Sequence, residues 1–229
     1  MYKEITGSPS QDAATPERAA IRVAIADDHP ITRSALRCYL GSFDDLQVVA
    51  EAATGRQVID IVRTQAIDVL LLDLDMPGQS GLDALPLIRA KSRHTAVLVF
   101  SAYPESRYAL PLIREGAQGY LSKGSAPAEL VRAVRHVAAG GSFVSPDVAE
   151  LLARHAMDSL AQPAHEQLTA REFQVFLKLA RGRSSADIGH ELSLSARTVS
   201  SYRVRVAAKL QANTAGELTA YALKHGLLD

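Results

Sequence analysis

Three aspartates in the first third of the chain have the type and placement needed to bind a metal ion and a phosphoryl group. Asp27 and Asp28 follow the apolar run 21–26, and Asp73 follows the apolar run 67–72. Like charges about 4 Å apart repel by about 4 kcal/mol at an effective dielectric of about 20, so three ionised carboxylates in one pocket require a cation. Oxygen ligands favour a hard cation such as Mg²⁺. With Mg²⁺ neutralising a phosphoryl group, Asp73 could attack it in line and form an acyl phosphate.

Two hydrogen-bond donors follow other apolar runs. Ser101 ends the run 96–102 and Lys123 follows the run 118–122, and a hydroxyl and an ammonium both suit phosphoryl oxygens. Each also has an ordinary use, Ser101 as a strand-end cap and Lys123 as a surface amine with a packed stem. Tyr120 is either a core residue or a ring that changes rotamer. Any one aspartate could end a strand only because loops are solvated, so the combination is what favours a phosphate site.

Five apolar runs alternate with helical patterns over residues 21–140. The apolar runs are 21–26, 46–52, 67–72, 96–102 and 118–122, and the helical patterns cover roughly 30–41, 55–65, 81–91, 105–115 and 126–139. This alternation predicts a doubly wound α/β fold with a five-stranded parallel sheet. The run IDVLLL is apolar without alternation, as expected for a central strand buried on both faces. Ligands of such sheets bind at the carboxyl ends of the strands, where the aspartates, Ser101 and Lys123 lie.

Composition excludes several classes of protein. Hydrophobic residues make up 47% and charged residues 22%, which is typical of globular proteins and excludes wholesale disorder. The single cysteine, Cys38, excludes an intramolecular disulfide framework and a cysteine-clustered zinc site. No apolar run approaches the roughly 18 residues that a membrane helix needs, and residues 1–11 are too polar for a signal peptide. We therefore expect a soluble, cytoplasmic protein without a membrane partner.

The chain divides into four segments. Residues 1–20 lack hydrophobic periodicity and contain Gly, Ser and Pro, which predicts a disordered tail. Residues 21–140 form the α/β domain, and 141–165 form a linker that includes an amphipathic helix at 148–157. Residues 166–229 are helical throughout and carry nine basic and six acidic side chains, a net +3 against −3 for the remainder. The difference hints at an acidic polymer as partner of the C-terminal segment.

The C-terminal segment has the pattern of a helix-turn-helix. Four helix N-caps are predicted, at Thr169, Ser184, Ser195 and Thr214. The helix after Ser195 has one apolar stripe for its own core, formed by Val199, Tyr202, Val206 and Leu210. Its basic side chains can bind DNA phosphates, and its small side chains can approach base edges and thymine methyls in the major groove. A charged helix is more often merely solvated, so this pattern alone is weak evidence.

The motifs IADDHP, LLLDLDMPG with SGLD, VFSA and GAQGYLSK resemble the receiver domain of bacterial two-component response regulators over residues 21–140. The resemblance implies a flavodoxin-like fold in which Asp73 accepts a phosphoryl group from the phosphohistidine of a sensor histidine kinase. It implies a Mg²⁺ site made by Asp27 through water, Asp28, Asp73 and the backbone carbonyl of Asp75. It also places Ser101 and Tyr120 at the switch positions and Lys123 at the phosphate-contacting position.

Residues 168–228 resemble the LuxR-type four-helix DNA-binding module, so the whole chain is similar to NarL/FixJ-type response regulators. The resemblance implies a homodimer on double-stranded promoter DNA with paired half-sites. The residues that would face the groove are Ser200, Ser201 and Val204, and those nearer the DNA backbone are Arg197, Thr198, Arg203, Arg205 and Lys209. The last helix, about 214–225, would dimerise through Leu218, Tyr221 and Ala222. Family members often have a basic residue at Ser200 and Val204, so base preference does not carry over.

We favour a phosphorylation-controlled transcription regulator, which is not an enzyme in the usual sense. The unphosphorylated receiver would occlude or misplace the helix-turn-helix, and phosphate on Asp73 would shift the population towards a DNA-competent dimer. Two alternatives stay open: a constitutive DNA-binding protein whose receiver is only a dimerisation scaffold, and a relay enzyme that passes the phosphoryl group onward. His29, beside the acidic pair, is interpreted as a helix cap and not as an acid or base.

Overall fold

The computed structural model describes residues 20–157 and 163–228. The predicted tail, except Ala20, lies outside the described residues, as do residues 158–162 of the predicted linker.

A five-stranded parallel sheet with helices on both faces forms the N-terminal domain, which confirms the predicted fold class. The strands are β1 Ile21–Ala26, β2 Leu46–Ala52, β3 Val69–Leu72, β4 Ala96–Ser101 and β5 Gly119–Ser122. The helices are α1 Pro30–Leu40, α2 Gly55–Thr64, α3 Gly81–Lys91, α4 Glu105–Arg114 and α5 Pro127–Ala138. The strand order β2-β1-β3-β4-β5 places β3 in the middle and next to β1.

The central strand is buried on both faces because apolar layers cover both sides of the sheet. Leu70 and Leu72 belong to the layer under α2, α3 and α4, whereas Val69 and Leu71 belong to the layer under α1 and α5. Successive side chains of a strand point to opposite faces, so both sets must be apolar. The first layer continues into the core of the C-terminal helices, where it includes Phe173. The two halves of the chain therefore share a continuous apolar core.

One residue of the predicted linker, Phe143, forms an isolated bridge to the edge strand β5. The backbone N–H of Phe143 donates to the carbonyl of Gln118 at 2.9 Å, and the carbonyl of Phe143 accepts from the N–H of Tyr120 at 2.8 Å. Helix α6, Pro146–Met157, follows, as the amphipathic pattern predicts. The Glu105 carboxylate of α4 accepts from the N–H of Ser145 at 2.8 Å, which fixes the start of α6 beside α4.

Four helices form the C-terminal module, after a short 3₁₀ helix at Ala164–Gln167. They are α7 Ala170–Ala180, α8 Ser185–Glu191, α9 Ala196–Leu210 and α10 Ala215–Lys224. All four predicted N-cap side chains accept a hydrogen bond from the N–H three residues on. The tight turn between α8 and α9 needs Gly189, since a Cβ there would lie 2.7 Å from the carbonyl oxygen of Leu194.

Candidate functional site

The three predicted carboxylates meet at the carboxyl edge of the sheet. Because β1 and β3 are neighbours, Asp27 and Asp28 lie beside Asp73, and the N–H of Asp73 donates to the carbonyl of Ala26 at 2.8 Å. Ligand atoms of the three aspartates and His29 all lie within 4.8 Å of one another. Asp27 and Asp73 are almost fully buried, at 1% and 3% exposure. Such a concentration of buried negative charge requires compensation.

Lys123 supplies part of that compensation. Its N–H donates to the carbonyl of Ser101 at 2.9 Å, and its Nζ lies 2.7 Å from Asp73 Oδ2 and 2.8 Å from Asp27 Oδ2. Burial raises the pKa of Asp73 above its ordinary value, and the contact with Lys123 acts against that rise. Burial would lower the pKa of Lys123, but its hydrogen bonds to Asp27 and Asp73 raise it overall. Lys123 therefore stays a charged ammonium.

The pocket has the charge and the oxygen ligands to fit a divalent cation. Three carboxylates and one ammonium leave two negative charges. Asp73 Oδ1 accepts from the N–H of Leu74 at 2.7 Å. Asp27 Oδ2 faces the ammonium of Lys123 at 2.8 Å, and Asp28 Oδ1 faces Nδ1 of His29 at 2.7 Å. Clustered carboxylate oxygens with an excess of negative charge suit a hard cation such as Mg²⁺. The side chain of Asp75 is exposed, and its carboxylate does not belong to this cluster.

Ser101 and Tyr120 are joined by one loop. Ser101 is buried beside the pocket, and its Oγ accepts from the N–H of Tyr103 at 3.2 Å. Tyr120 lies in the core, and its hydroxyl donates to the carbonyl of Tyr103 at 2.6 Å. Burial raises the pKa of Tyr120, which keeps its hydroxyl a donor. Both predicted switch residues therefore hold the backbone of Tyr103.

Two residues at the start of α1 differ from expectation. His29 is the N-cap residue of α1, as interpreted, but its side chain makes no cap hydrogen bond; Nδ1 lies 2.7 Å from Asp28 Oδ1 instead. Arg33, which the motif analysis missed, donates to the carbonyl of Asp27 at 2.6 Å. No spacing in the sequence signals this contact, because a backbone carbonyl is offered by every residue.

The predicted groove-facing side of α9 is open. Ser200, Ser201 and Val204 are exposed, and no part of the described receiver covers them. The predicted backbone-contacting residues Arg197, Arg203 and Arg205 are also exposed, while Thr198 is half-buried. We predicted that the receiver would occlude or misplace the helix-turn-helix. Occlusion does not describe this face of α9, and misplacement stays a prediction.

Lys209 differs from the other predicted backbone contacts. Its Nζ lies 2.6 Å from Glu172 Oε2 and donates to the carbonyl of Gln167 at 3.0 Å. Glu172 is buried and belongs to the N-terminal capping box of α7. Lys209 thus ties α9 to α7 within the module.

The predicted dimer residues of α10 divide into two groups. Leu218 and Ala222 are 2% and 0% exposed in the core of the module, so neither is available to a second copy as the chain stands. Tyr221 is half-buried, and its hydroxyl accepts from the N–H of His165 at 3.1 Å. Leu223 projects from the same helix and is 55% exposed.

The receiver and the module are joined by polar contacts that the sequence patterns missed. Asp83 Oδ2 of α3 lies 3.1 Å from the guanidinium of Arg171, a buried residue of α7. Glu115 Oε1 accepts from the N–H of Ala170 at 2.6 Å, at the N-terminus of α7, where a carboxylate is favoured. We call these contacts, with the hydrogen bond described next, the domain interface.

A third contact connects the interface to the switch loop. The hydroxyl of Tyr103 accepts from Nε2 of the buried Gln174 at 3.2 Å. The Tyr108 ring of α4 packs edge-on to Phe173 of α7, with ring centroids 5.8 Å apart. The residue that Ser101 and Tyr120 hold through its backbone therefore contacts α7 through its side chain.

The N-terminal domain has a buried acidic pocket with a lysine, and the C-terminal module is a helix-turn-helix whose second helix, α9, is exposed on its outer face. These two features together define a signal-receiving DNA-binding regulator. The comparisons agree. Residues 23–135 match the response regulator receiver domain, and residues 166–222 match the bacterial regulatory proteins of the luxR family. The chain is 35% identical to the response regulator UvrY of Escherichia coli over 208 residues, which cover 90% of this chain and 95% of UvrY.

Solved structures agree as well. The crystal structure of a LuxR-family two-component response regulator from an Aurantimonas species has a TM-score of 0.55 and 34% identity, and covers 61% of this chain and 100% of that chain. RcsB from Salmonella enterica, at 23% identity, shares the fold with a TM-score of 0.61 over 88% of this chain and 98% of its own. The chain belongs to the response regulators with a LuxR-type helix-turn-helix, in which phosphorylation controls transcription. Among the described residues, no helix has the length and apolarity to span a membrane.

Proposed function

We propose that Asp73 accepts a phosphoryl group from a sensor histidine kinase and that this phosphate switches the regulator to a DNA-binding homodimer in the cytoplasm. The observation that carries the proposal is the burial of Asp73 between Asp27 and Lys123 at the carboxyl edge of the sheet. In the transfer, a carboxylate oxygen of Asp73 attacks phosphorus, and the histidine nitrogen leaves with the electron pair of the broken P–N bond. The product is an acyl phosphate on Asp73.

The residues of the pocket have two roles in this step, binding of Mg²⁺ and binding of the phosphoryl group. Asp27, Asp28, Asp73 and the backbone carbonyl of Asp75 would hold Mg²⁺, with Asp27 acting through water. What the cation supplies when bound is neutralisation of charge on the phosphoryl oxygens. Lys123, which now bridges two carboxylates, is in reach to bind a phosphoryl oxygen attached to Asp73.

The phosphate signal reaches the module through Tyr103. When the Ser101 hydroxyl turns to a phosphoryl oxygen, the N–H of Tyr103 loses its acceptor. The loop then loosens, Tyr120 can change its partner, and the Tyr103–Gln174 contact weakens. Because α9 is already exposed, separation of the domains changes the position of the module relative to the receiver. It does not change the exposure of α9 to DNA. Freed modules can then pair on two half-sites about one helical turn apart, or a multiple of it.

The exposed Leu223, with Tyr221, is the part of α10 available to a second copy of the module. Leu218 and Ala222 support that surface from within the core.

The test of the proposal is Mg²⁺-dependent phosphoryl uptake from acetyl phosphate, followed by intact mass. We expect one phosphoryl group per chain with Mg²⁺ and none with a chelator. Asp28→Asn should raise the Mg²⁺ concentration for half-maximal uptake by about tenfold or more, since even outer-sphere partners of a metal contribute about that much. Asp44→Asn, an exposed aspartate of the α1–β2 loop, is the matched control. Equal uptake with and without Mg²⁺ would contradict the proposal.

A further inference from the structure

Helix α9 presents one exposed aliphatic side chain in the middle of its outer face. Val204 is 69% exposed, whereas Val199 and Val206 of the same helix are fully buried. An aliphatic side chain gains nothing from water, and Val204 is not needed for the core of the module. Single exposed apolar residues are common on protein surfaces. The surroundings of Val204 separate it from that ordinary case.

The neighbours of Val204 on the helix surface are small. Residues three and four positions away are Ser200 and Ser201 on one side and Ala207 and Ala208 on the other. The Ser200 hydroxyl donates to the carbonyl of Ala196 at 2.9 Å, and the Ser201 hydroxyl donates to the carbonyl of Arg197 at 3.1 Å. Both hydroxyl hydrogens are therefore committed to the backbone of the helix. The isopropyl group of Val204 is therefore larger than the four side chains that surround it on the helix.

The long basic side chain of Arg205, which follows Val204 in the sequence, is turned away. Arg205 has its guanidinium carbon 4.5 Å from the centroid of the Tyr202 ring, and its Nε lies 3.9 Å from Glu172 Oε1. These contacts hold it along the helix flank towards the module. Since the side chain of Arg205 does not cross the outer face, this face can approach the floor of a groove closely.

We propose that Val204 reads a thymine by contact with its C5 methyl group, which makes it a specificity-determining residue of the DNA-binding module. The thymine methyl is the apolar group on the base edges of the major groove. This inference rests on the DNA-binding function. It goes beyond that function by naming the base and the chemical group that one side chain recognises.

The test uses the full-length protein and a duplex selected by it from a random DNA pool. Each thymine of the selected site is replaced in turn by deoxyuridine, which lacks only the C5 methyl group. Loss of one buried methyl group should weaken wild-type binding by about fourfold at one position of each half-site. Val204→Ala should have the same affinity for the duplex with thymine at that position and for the duplex with deoxyuridine there. At the other positions, the ratio of its affinities for the thymine and deoxyuridine duplexes should equal that of the wild type.

Ile31→Ala is the matched control, since Ile31 is an exposed aliphatic residue of α1, at 86% exposure, in the receiver. This variant should leave the ratio of affinities for the thymine and deoxyuridine duplexes unchanged at every position. Equal binding of all duplexes by the wild type would overturn the proposal, as would discrimination that survives in Val204→Ala. If Val204→Ala changes the oligomeric state but not the affinity ratios, Val204 contacts a protein and not DNA. Failure to select any duplex would overturn DNA binding itself, which is a separate result.

Discussion

An Asp73→Asn variant is expected to take up no phosphoryl group under conditions in which the wild type takes up one. The amide that replaces the carboxylate is not a nucleophile, while Asp27, Asp28 and Lys123 remain in place. Phosphoryl uptake from acetyl phosphate with Mg²⁺, followed by intact mass, measures the difference. The effect is complete loss and not a reduction, because the acceptor atom itself is removed.

Asp60→Asn is the control for this prediction, since Asp60 is an exposed aspartate of α2. It should take up one phosphoryl group like the wild type. A phosphoryl group that remained on Asp73→Asn would mean that another residue is the acceptor.

Opening of the domain interface should activate the unphosphorylated protein. Asp83→Asn removes the carboxylate that faces the buried Arg171, and Tyr103→Phe removes the acceptor of the buried Gln174. A buried polar group without its partner costs about 1–3 kcal/mol. That cost raises the population of separated domains by roughly 5- to 150-fold.

Two measurements test this expectation. Small-angle X-ray scattering should show a more extended double variant, Asp83→Asn with Tyr103→Phe. Its affinity for a paired half-site duplex should rise, while its affinity for a single half-site should not, because the outer face of α9 is already exposed. Asp44→Asn with Tyr39→Phe makes the same chemical changes away from the interface. An equal rise on the single half-site would indicate occlusion of α9, and no rise on either duplex would reject the interface as a restraint.

The parts of the structure that local pattern governs could be predicted from the sequence. The unalternating run at β3 indicated a strand between two apolar layers, and the spacing of Thr169 and Glu172 indicated a capping box. The acidic pocket was also predictable, because the ends of parallel strands meet at one edge of the sheet. Each of these depends on neighbouring residues or on sheet topology alone.

Contacts between distant elements could not be predicted in this way. Asp83, Glu115 and Gln174 look like ordinary surface residues of their helices until α7 docks on α3 and α4. Lys209 looks like a DNA contact until α9 packs beside Glu172, which then pairs with it. Helical periodicity alone did not separate the residues of α10 that its own module buries from those that remain for a partner.

The most direct test of the account is the DNA affinity of the full-length protein with and without beryllofluoride, in the presence of Mg²⁺. Fluorescence anisotropy on a labelled paired half-site duplex gives the affinity for wild type and for Asp73→Asn. Control of DNA binding through Asp73 predicts that beryllofluoride tightens wild-type binding by roughly 5- to 150-fold, the usual range of coupling between two sites, and leaves the affinity of Asp73→Asn unchanged. Equal wild-type affinity with and without beryllofluoride would contradict it and favour a receiver that serves only as a scaffold.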